Sequence, residues 1–339
     1  MADHGYQSGR LNLPFVGHCT FAKAPICIDW NSLDADFAIL GVPNDMGTQY
    51  RPGARFGPRG IREASTLFSF GHSGAYDFED DINYLPASEV KIVDVGDADI
   101  VHTDMEQSHA NTEYAVRQIL AAGATPIILG GDHSIHDPVM AAYSDQEPLH
   151  IVHFDAHLDF VDERHGVRRG HGNPLRRSSE KTWVTGMTQL GIRNVSSSNR
   201  QDYDDARAAG SKIFSVRDAR RLGTEGILAE IPKVERYYVT IDIDGFDPSI
   251  APGTGTPSHG GFLYYEVLEI LQGLVKMGDI VGVDLVEVAP DYDSGDITTM
   301  LAAQLLMNFM GFIFEERRKS GVTRRTEQTE GEEPETAFP

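Results

Sequence analysis

Tyr238-Val239-Thr240-Ile241-Asp242-Ile243-Asp244-Gly245-Phe246-Asp247-Pro248 is an apolar, largely β-branched run that ends in carboxylates. Such a run predicts a strand covered on both faces, with its acidic residues just past the C-terminal end. Two further segments repeat the design: Pro126-Ile127-Ile128-Leu129 leads into Gly130-Gly131-Asp132-His133-Ser134, and Ile151-Val152-His153-Phe154 leads into Asp155-Ala156-His157-Leu158-Asp159. Neighbouring parallel strands deliver such groups to one crevice, where open α/β sheets bind their ligands.

The rest of the chain fits that architecture. Strands are predicted at 36–42, 90–96, 126–130, 150–155, 187–192, 212–215, 237–243 and 280–286. Helical segments are predicted near 58–69, 106–121, 134–143, 199–209, 264–276 and 296–315. Strand–helix alternation argues for an α/β fold, a mostly parallel sheet with helices on both faces. Residues 1–33 read as an irregular arm containing Pro14 and Pro25, 34–317 as one domain, and 318–339 as a polar, Glu-rich tail expected to be disordered.

Composition narrows the function. A formal net charge of −22 disfavours nucleic acid and anionic membranes as partners. Cys19 and Cys27 are the only cysteines and form no Cys-x-x-Cys, so a thiolate metal site and a disulfide framework are not expected. No secretory signal is evident at the N-terminus, and the apolar stretch 297–314, interrupted by Thr298, Thr299, Gln304 and Asn308, reads as a core or interface helix. A cytoplasmic location is the expectation. Dinucleotide, Walker and Gly-x-Ser-x-Gly motifs do not occur, which removes support for dehydrogenase, nucleotide hydrolase and serine esterase functions.

Asp155, His157 and Asp159 alternate, as do Asp242 and Asp244, so in extended backbone each set faces one way. The Gly130-Gly131 pair before His133 is expected to leave room for an ion beside the backbone. Four carboxylates and two imidazoles without sulfur suit manganese and, by geometry, iron, cobalt, nickel or zinc. Two divalent cations cancel four ionised aspartates, whereas one leaves −2 in a poorly solvated crevice. Two metals are therefore expected, and with them hydrolytic chemistry on an activated water.

These motifs, with Ile241–Pro257, Arg51–Arg59 and Gly282–Pro290, closely resemble the ureohydrolases: arginases, agmatinases and their guanidino-acid relatives. The resemblance implies a three-layer α/β/α fold with an eight-stranded mostly parallel sheet, two manganese ions in most members or nickel in a few, and a homo-oligomer, trimeric or hexameric. It also implies that His133, Asp155, Asp159 and Asp242 hold one metal and that Asp155, His157, Asp242 and Asp244 hold the other. Asp155 and Asp242 would bridge, which puts Asp155 in the catalytic set. His171 corresponds to a proton shuttle and Glu287 to the carboxylate that pairs with a guanidinium. A metal-bridging hydroxide would then cleave a guanidino C–N bond, releasing urea and an amine.

The substrate is expected to be agmatine or a guanidino acid such as 4-guanidinobutanoate, selected by loops 160–170 and 193–203. Arg164, Arg168 and Arg169 are candidates to meet a substrate carboxylate, with solvent or a neighbouring subunit as their alternative. The acidic, aromatic stretch Tyr76–Tyr84 offers another reading: a cationic substrate, guanidine or a biguanide such as metformin, with nickel. A single-metal amide deacetylase is disfavoured by the presence of His133, Asp159 and Asp244. A non-catalytic partner subunit is disfavoured by the retention of all six ligand positions.

Overall fold

The computed structural model describes residues 14–68 and 74–321, plus the backbone of the short pairs Tyr6–Gln7 and Arg10–Leu11. Each predicted strand forms: β1 Phe37–Val42, β2 Ile92–Asp97, β3 Thr125–Gly130, β4 Leu149–Phe154, β5 Val184–Leu190, β6 Ser211–Phe214, β7 Arg236–Asp242 and β8 Asp279–Val286. They make one sheet in the order β6-β5-β4-β7-β8-β3-β1-β2, and every pairing is parallel.

Register explains why the motifs meet. Phe154 pairs with Ile241, Ile241 with Leu285, and Leu285 with Leu129, so four central strands end level. The residues just beyond them include Asp155, Asp242, Gly131 and Glu287. One residue lower, Gln189, His153, Thr240 and Asp284 pair in a second row. Alternation puts His153 on the face of Asp155, and Thr240 on the face of Asp242.

Helices α1 Gly57–Ser65, α6 Val216–Glu230, α7 Tyr264–Leu274 and α8 Ile297–Ser320 cover one face; α2 Met105–Ala121, α3 His136–Ala141, α4 Pro174–Ser179 and α5 Arg200–Ala208 cover the other. Alternate strand residues feed the two apolar cores: Ile39, Leu129, Val152 and Ile241 one way, Leu40, Ile128, Ile151 and Tyr238 the other. The three-layer single domain expected from the sequence is what forms. The long apolar stretch of α8 is two-thirds buried in this core (67%) rather than presented outward. The second half of the N-terminal arm lies on the sheet edge. Buried Phe21 donates its N–H to Asp94 Oδ2 at 2.9 Å, and Asp94 also takes Arg62 Nε and Nη2 from α1 at 2.9 and 3.0 Å.

Two helices escaped the sequence reading. In α6, Gly223 sits at φ 71°, a break that hid the periodicity, and the helix is instead set at its start by a Ser215/Asp218 capping box. The other, α4, has six residues and starts on Pro174, too short for a periodic signal. At its other end, α8 runs to Ser320, beyond the expected 315, because Arg317, Arg318 and Lys319 suit a helix C-terminus and Gly321 (φ 69°) closes it. The tail expected beyond lies outside the described residues from 322 onward.

The Gly130-Gly131 pair calls for a correction. A Cβ on Gly131 would lie 1.8 Å from Asn44 O, and one on Gly130 would lie 2.4 Å from Val286 Cγ1. The space belongs to the loop after β1 and to β8, so these glycines let neighbouring backbone close in rather than make room for an ion. Gly131→Ala must push that loop away, at a cost of at least about 1–3 kcal/mol. Calorimetry should show a lowered unfolding midpoint, and an unchanged midpoint would contradict the close approach.

Candidate metal centre

The ends of β3, β4 and β7 bring the predicted ligands together. His133 Nδ1 lies 3.2 Å from Asp155 Oδ2, 3.1 Å from Asp159 Oδ2 and 3.4 Å from Asp242 Oδ2. His157 Nδ1 lies 3.0 Å from Asp244 Oδ2 and 3.4 Å from Asp155 Oδ1. Asp155 thus touches both imidazoles through different oxygens. All four carboxylates are buried, Asp155 completely. Asp242 Oδ1 accepts from Asp244 N at 2.9 Å, and Asp244 takes Ala156 N and Thr256 Oγ1, each at 3.1 Å.

One atom tests whether a cation fits. His133 Nδ1 is buried and hydrogen-bonds to none of the carboxylates around it; it points between them. The tautomer follows from the row beneath. Asp284 accepts from Tyr238 Oη (2.8 Å), His136 Nδ1 (2.7 Å) and Thr240 Oγ1. With its one proton given to Asp284, Thr240 Oγ1 accepts from His133 Nε2–H at 2.9 Å. Nδ1 is left with its lone pair aimed at the space the carboxylates enclose. A ring nitrogen fixed from behind in this way is how a protein presents an imidazole to a metal.

Electrostatics agrees. Burial first, then repulsion from Asp244 and Asp155, pushes the Asp242 carboxyl well above its ordinary range; Asp244 is also raised, mainly by burial. Burial would lower His133, but Asp155, Asp159 and Asp242 outweigh it and hold its proton affinity well above the ordinary value. Asp244 does the same for His157 against burial. Asp155 moves the other way: burial raises it, but His153, His133 and His157 pull it well below the usual range. Without cations the cluster holds protons where divalent ions would otherwise sit.

At the rim, His171 and Glu287 are partners rather than separate groups. His171 Nδ1–H donates to Glu287 Oε1 at 3.0 Å, and Nε2 accepts from Gln49 N at a loose 3.3 Å. Glu287 Oε1 also accepts His133 N at 2.9 Å. Burial opposes protonation of His171, but Glu287, Asp132 and Asp159 raise it to about 9. Glu287 and Asp159 hold left-handed backbone, φ 63° and 51°, uncommon for residues other than glycine. Asp159 is pinned because its carbonyl accepts Leu175 N and Arg176 N at the start of α4. Strain of this kind, about 1–3 kcal/mol per residue, persists where the surroundings over-determine it.

The expected specificity loops meet at Arg164, which donates Nη1 to Gln49 Oε1 and Nη2 to Ser197 O, both at 2.9 Å. With Gln49 it lines a crevice of about 1270 Å³ beside the site. The three arginines differ. Arg168 pairs with Asp162 and Glu180, and Arg169 with Asp137, whereas Arg164 has neutral acceptors and no carboxylate partner among the described residues. The acidic stretch 76–84 lies elsewhere. It is a hairpin against α7 in which Glu79 accepts from Tyr265 and Asp80 from Gln272.

Several supporting residues were not singled out in the sequence. Arg193 donates to six carbonyls, including Asp244 O at 2.6 Å and Ser258 O at 2.7 Å, and so stitches three loops beneath the second carboxylate pair. No local pattern announces it. Asp132 accepts Gly47 N at 2.7 Å, and Gly47 O accepts His171 N at 3.1 Å. Burial and Glu287 raise Asp132 to about 6. For His153, Thr240 and Asp284 there was a signal: polar residues inside otherwise apolar strands, two of them two positions before a site aspartate.

Comparison with known proteins agrees with this geometry. The arginase family model matches residues 35–311. The human mitochondrial guanidino acid hydrolase is 35% identical over 301 residues, which cover 87% of this chain and 82% of that protein. The guanidinopropionase of Pseudomonas aeruginosa is 34% identical over 325 residues, 94% of this chain and 99% of that one. The solved structure of proclavaminate amidino hydrolase from Streptomyces clavuligerus superposes with a TM-score of 0.78 at 33% identity, covering 89% of this chain and 99% of that one. The fold, the cluster of aspartates and histidines and these likenesses together place the chain in the arginase family.

Proposed function

We propose that this arginase-family hydrolase cleaves a guanidino C–N bond and releases urea and an amine at a two-metal centre. The observation that carries the reading is His133 Nδ1, held by Thr240 with its lone pair among three buried carboxylates. His133, Asp155, Asp159 and Asp242 would hold one ion and Asp155, His157, Asp242 and Asp244 the other. Oxygen-rich donors with two imidazoles favour Mn²⁺, with Ni²⁺ the alternative. A pair of divalent cations held by these residues would supply Lewis acidity and lower the pKa of a water, the nucleophile that guanidino hydrolysis requires.

The chain's own groups supply the rest. Glu287 orients the guanidinium through charge-assisted hydrogen bonds. His171 keeps one proton on Nδ1 through Glu287 and can exchange the loose Gln49 contact for a second proton at Nε2. Nearby dications would lower its high proton affinity towards neutrality, which suits passing a proton to the departing amine. Arg164, a guanidinium at the crevice with no carboxylate partner among the described residues, favours a guanidino acid over agmatine as substrate. Guanidine or biguanide hydrolysis keeps no support from the acidic hairpin, whose Glu79 and Asp80 are engaged by α7. A cytoplasmic homo-oligomer, trimer or hexamer, is the setting this reading assumes; sedimentation velocity and cell fractionation test it.

Protein reconstituted separately with Mn²⁺ and Ni²⁺ should release urea from a guanidino panel, best from 4-guanidinobutanoate or its homologues. Inactivity on every guanidino compound with both metals bound would refute the reading. Asp155→Asn should lose bound metal and turnover together. Glu287→Gln should lower kcat/KM about a hundredfold, roughly 3 kcal/mol for losing one partner of a buried charge pair. Arg164→Ala should raise KM for the acid about tenfold and leave agmatine unaffected or improved.

Chelation should destabilise the protein more at pH 8 than at pH 5. Asp242 and Asp244 have folded pKa values raised above 3.8, so the stability they contribute in acid is lost as pH climbs above that value unless cations replace the protons. Thermal unfolding with and without EDTA across pH measures it, and a chelation effect independent of pH would count against cations held by these carboxylates.

A further inference from the structure

His153 stands with His133 and Asp155 in a group whose atoms could surround an ion, so it could be taken for a seventh ligand. The hydrogen bonds around it exclude that. Gln189 Nε2 lies 2.7 Å from Leu158 O and 3.1 Å from His153 Nδ1, and Gln189 Oε1 accepts from Ser211 Oγ at 2.7 Å. A backbone carbonyl can only accept, so the amide nitrogen, not its oxygen, faces Leu158 and therefore also His153. Nδ1 of His153 is then an acceptor, and in the neutral ring the proton sits on Nε2, 2.8 Å from Asp155 Oδ2. The lone pair that a metal would need is on the far side of the ring.

We infer that His153 is a positioning residue: a hydrogen-bond donor that fixes the orientation of Asp155, the carboxylate shared by both halves of the centre. Resting on the two-metal reading, the inference explains how one side chain serves two sites. Asp155 Oδ1 accepts His157 N, so each oxygen is tethered, and the carboxylate plane cannot turn to serve one cation alone. The tether is relayed across three strands, from Ser211 on β6 through Gln189 on β5 to His153 on β4, and Gln189 and His153 are 0% exposed. No other protein donor with a side-chain proton on Asp155 Oδ2 takes its place among the described residues once His133 Nδ1 faces a cation.

The test compares His153→Met with His153→Gln in the full chain. The two side chains match in length and flexibility, and only glutamine can donate near the Nε2 position. Mn²⁺ binding is followed by calorimetric titration and metal analysis, the paired site by the exchange-coupled Mn²⁺ resonance signal, and folding by the unfolding midpoint with EDTA. H153M should keep an EDTA midpoint near that of the parent, lose about ten- to a hundredfold in affinity for at least one Mn²⁺, and lose the coupled signal. H153Q should recover most of both. Parent-like Mn²⁺ affinity and coupling in H153M would overturn the role, as would H153Q as defective as H153M. If H153M does not fold, His153→Phe, which keeps a ring of similar size, takes its place with the same outcomes. Failure of the parent protein itself to bind two Mn²⁺ would instead refute the two-metal reading.

Discussion

Four buried aspartates converging on two imidazoles form the constraint on which this structure depends. Unpaired, such charges cost more to bury than any single contact in the fold returns, so they must be protonated or met by cations. In this chain no Lys or Arg side chain pairs with Asp155, Asp159, Asp242 or Asp244 among the described residues. Arg193, a guanidinium packed behind Asp244, spends its donors on carbonyls. The protein thus leaves this negative charge to protons or cations at one point and stabilises everything around that point.

Two rows across one sheet show how. The upper row presents the acids; the lower row, Gln189, His153, Thr240 and Asp284, orients them. Because the parallel register is regular towards the C-terminal ends of β5, β4, β7 and β8, each polar residue of the lower row lies beside the next, and hydrogen bonds run from strand to strand. Buried polar groups of this kind are tolerable only when satisfied. Asp284, with three donors, and Gln189, with three partners, meet that condition. The row sets the tautomers of His133 and His153 in opposite senses, lone pair forward in one and proton forward in the other. Chemically identical side chains acquire different roles from what lies behind them.

Around this rigid floor the walls are loops. Asp132 and Gly47 hold His171, α4 holds Asp159, and Arg164 ties the two loops expected to set specificity. Left-handed backbone at Asp159 and Glu287 marks where the loops leave the sheet under constraint. Rigid strands carrying the reactive groups and adaptable loops carrying selectivity fit a family whose relatives bear the names guanidino acid hydrolase, guanidinopropionase and proclavaminate amidinohydrolase.

By itself the sequence determined the sheet, its eight strands, the single domain and the six candidate ligands. Burial on both faces writes a continuous β-branched run, and a charged residue at the end of such a run has few uses. It also carried, unread, the polar residues at 153, 240 and 284. What only the tertiary structure decided depends on groups distant in the chain. The Gly130-Gly131 pair is explained by backbone from residue 44 and β8, not by an ion. The three arginines of one loop separate into two held by carboxylates and one held by neutral acceptors only when residues 49, 137, 162, 180 and 197 are in position. The acidic hairpin belongs to α7. Whether a histidine offers a lone pair or a proton is settled by an amide or a hydroxyl on another strand, Gln189 for His153 and Thr240 for His133, since a hydrogen bond has direction and the histidine's own residue type does not set it.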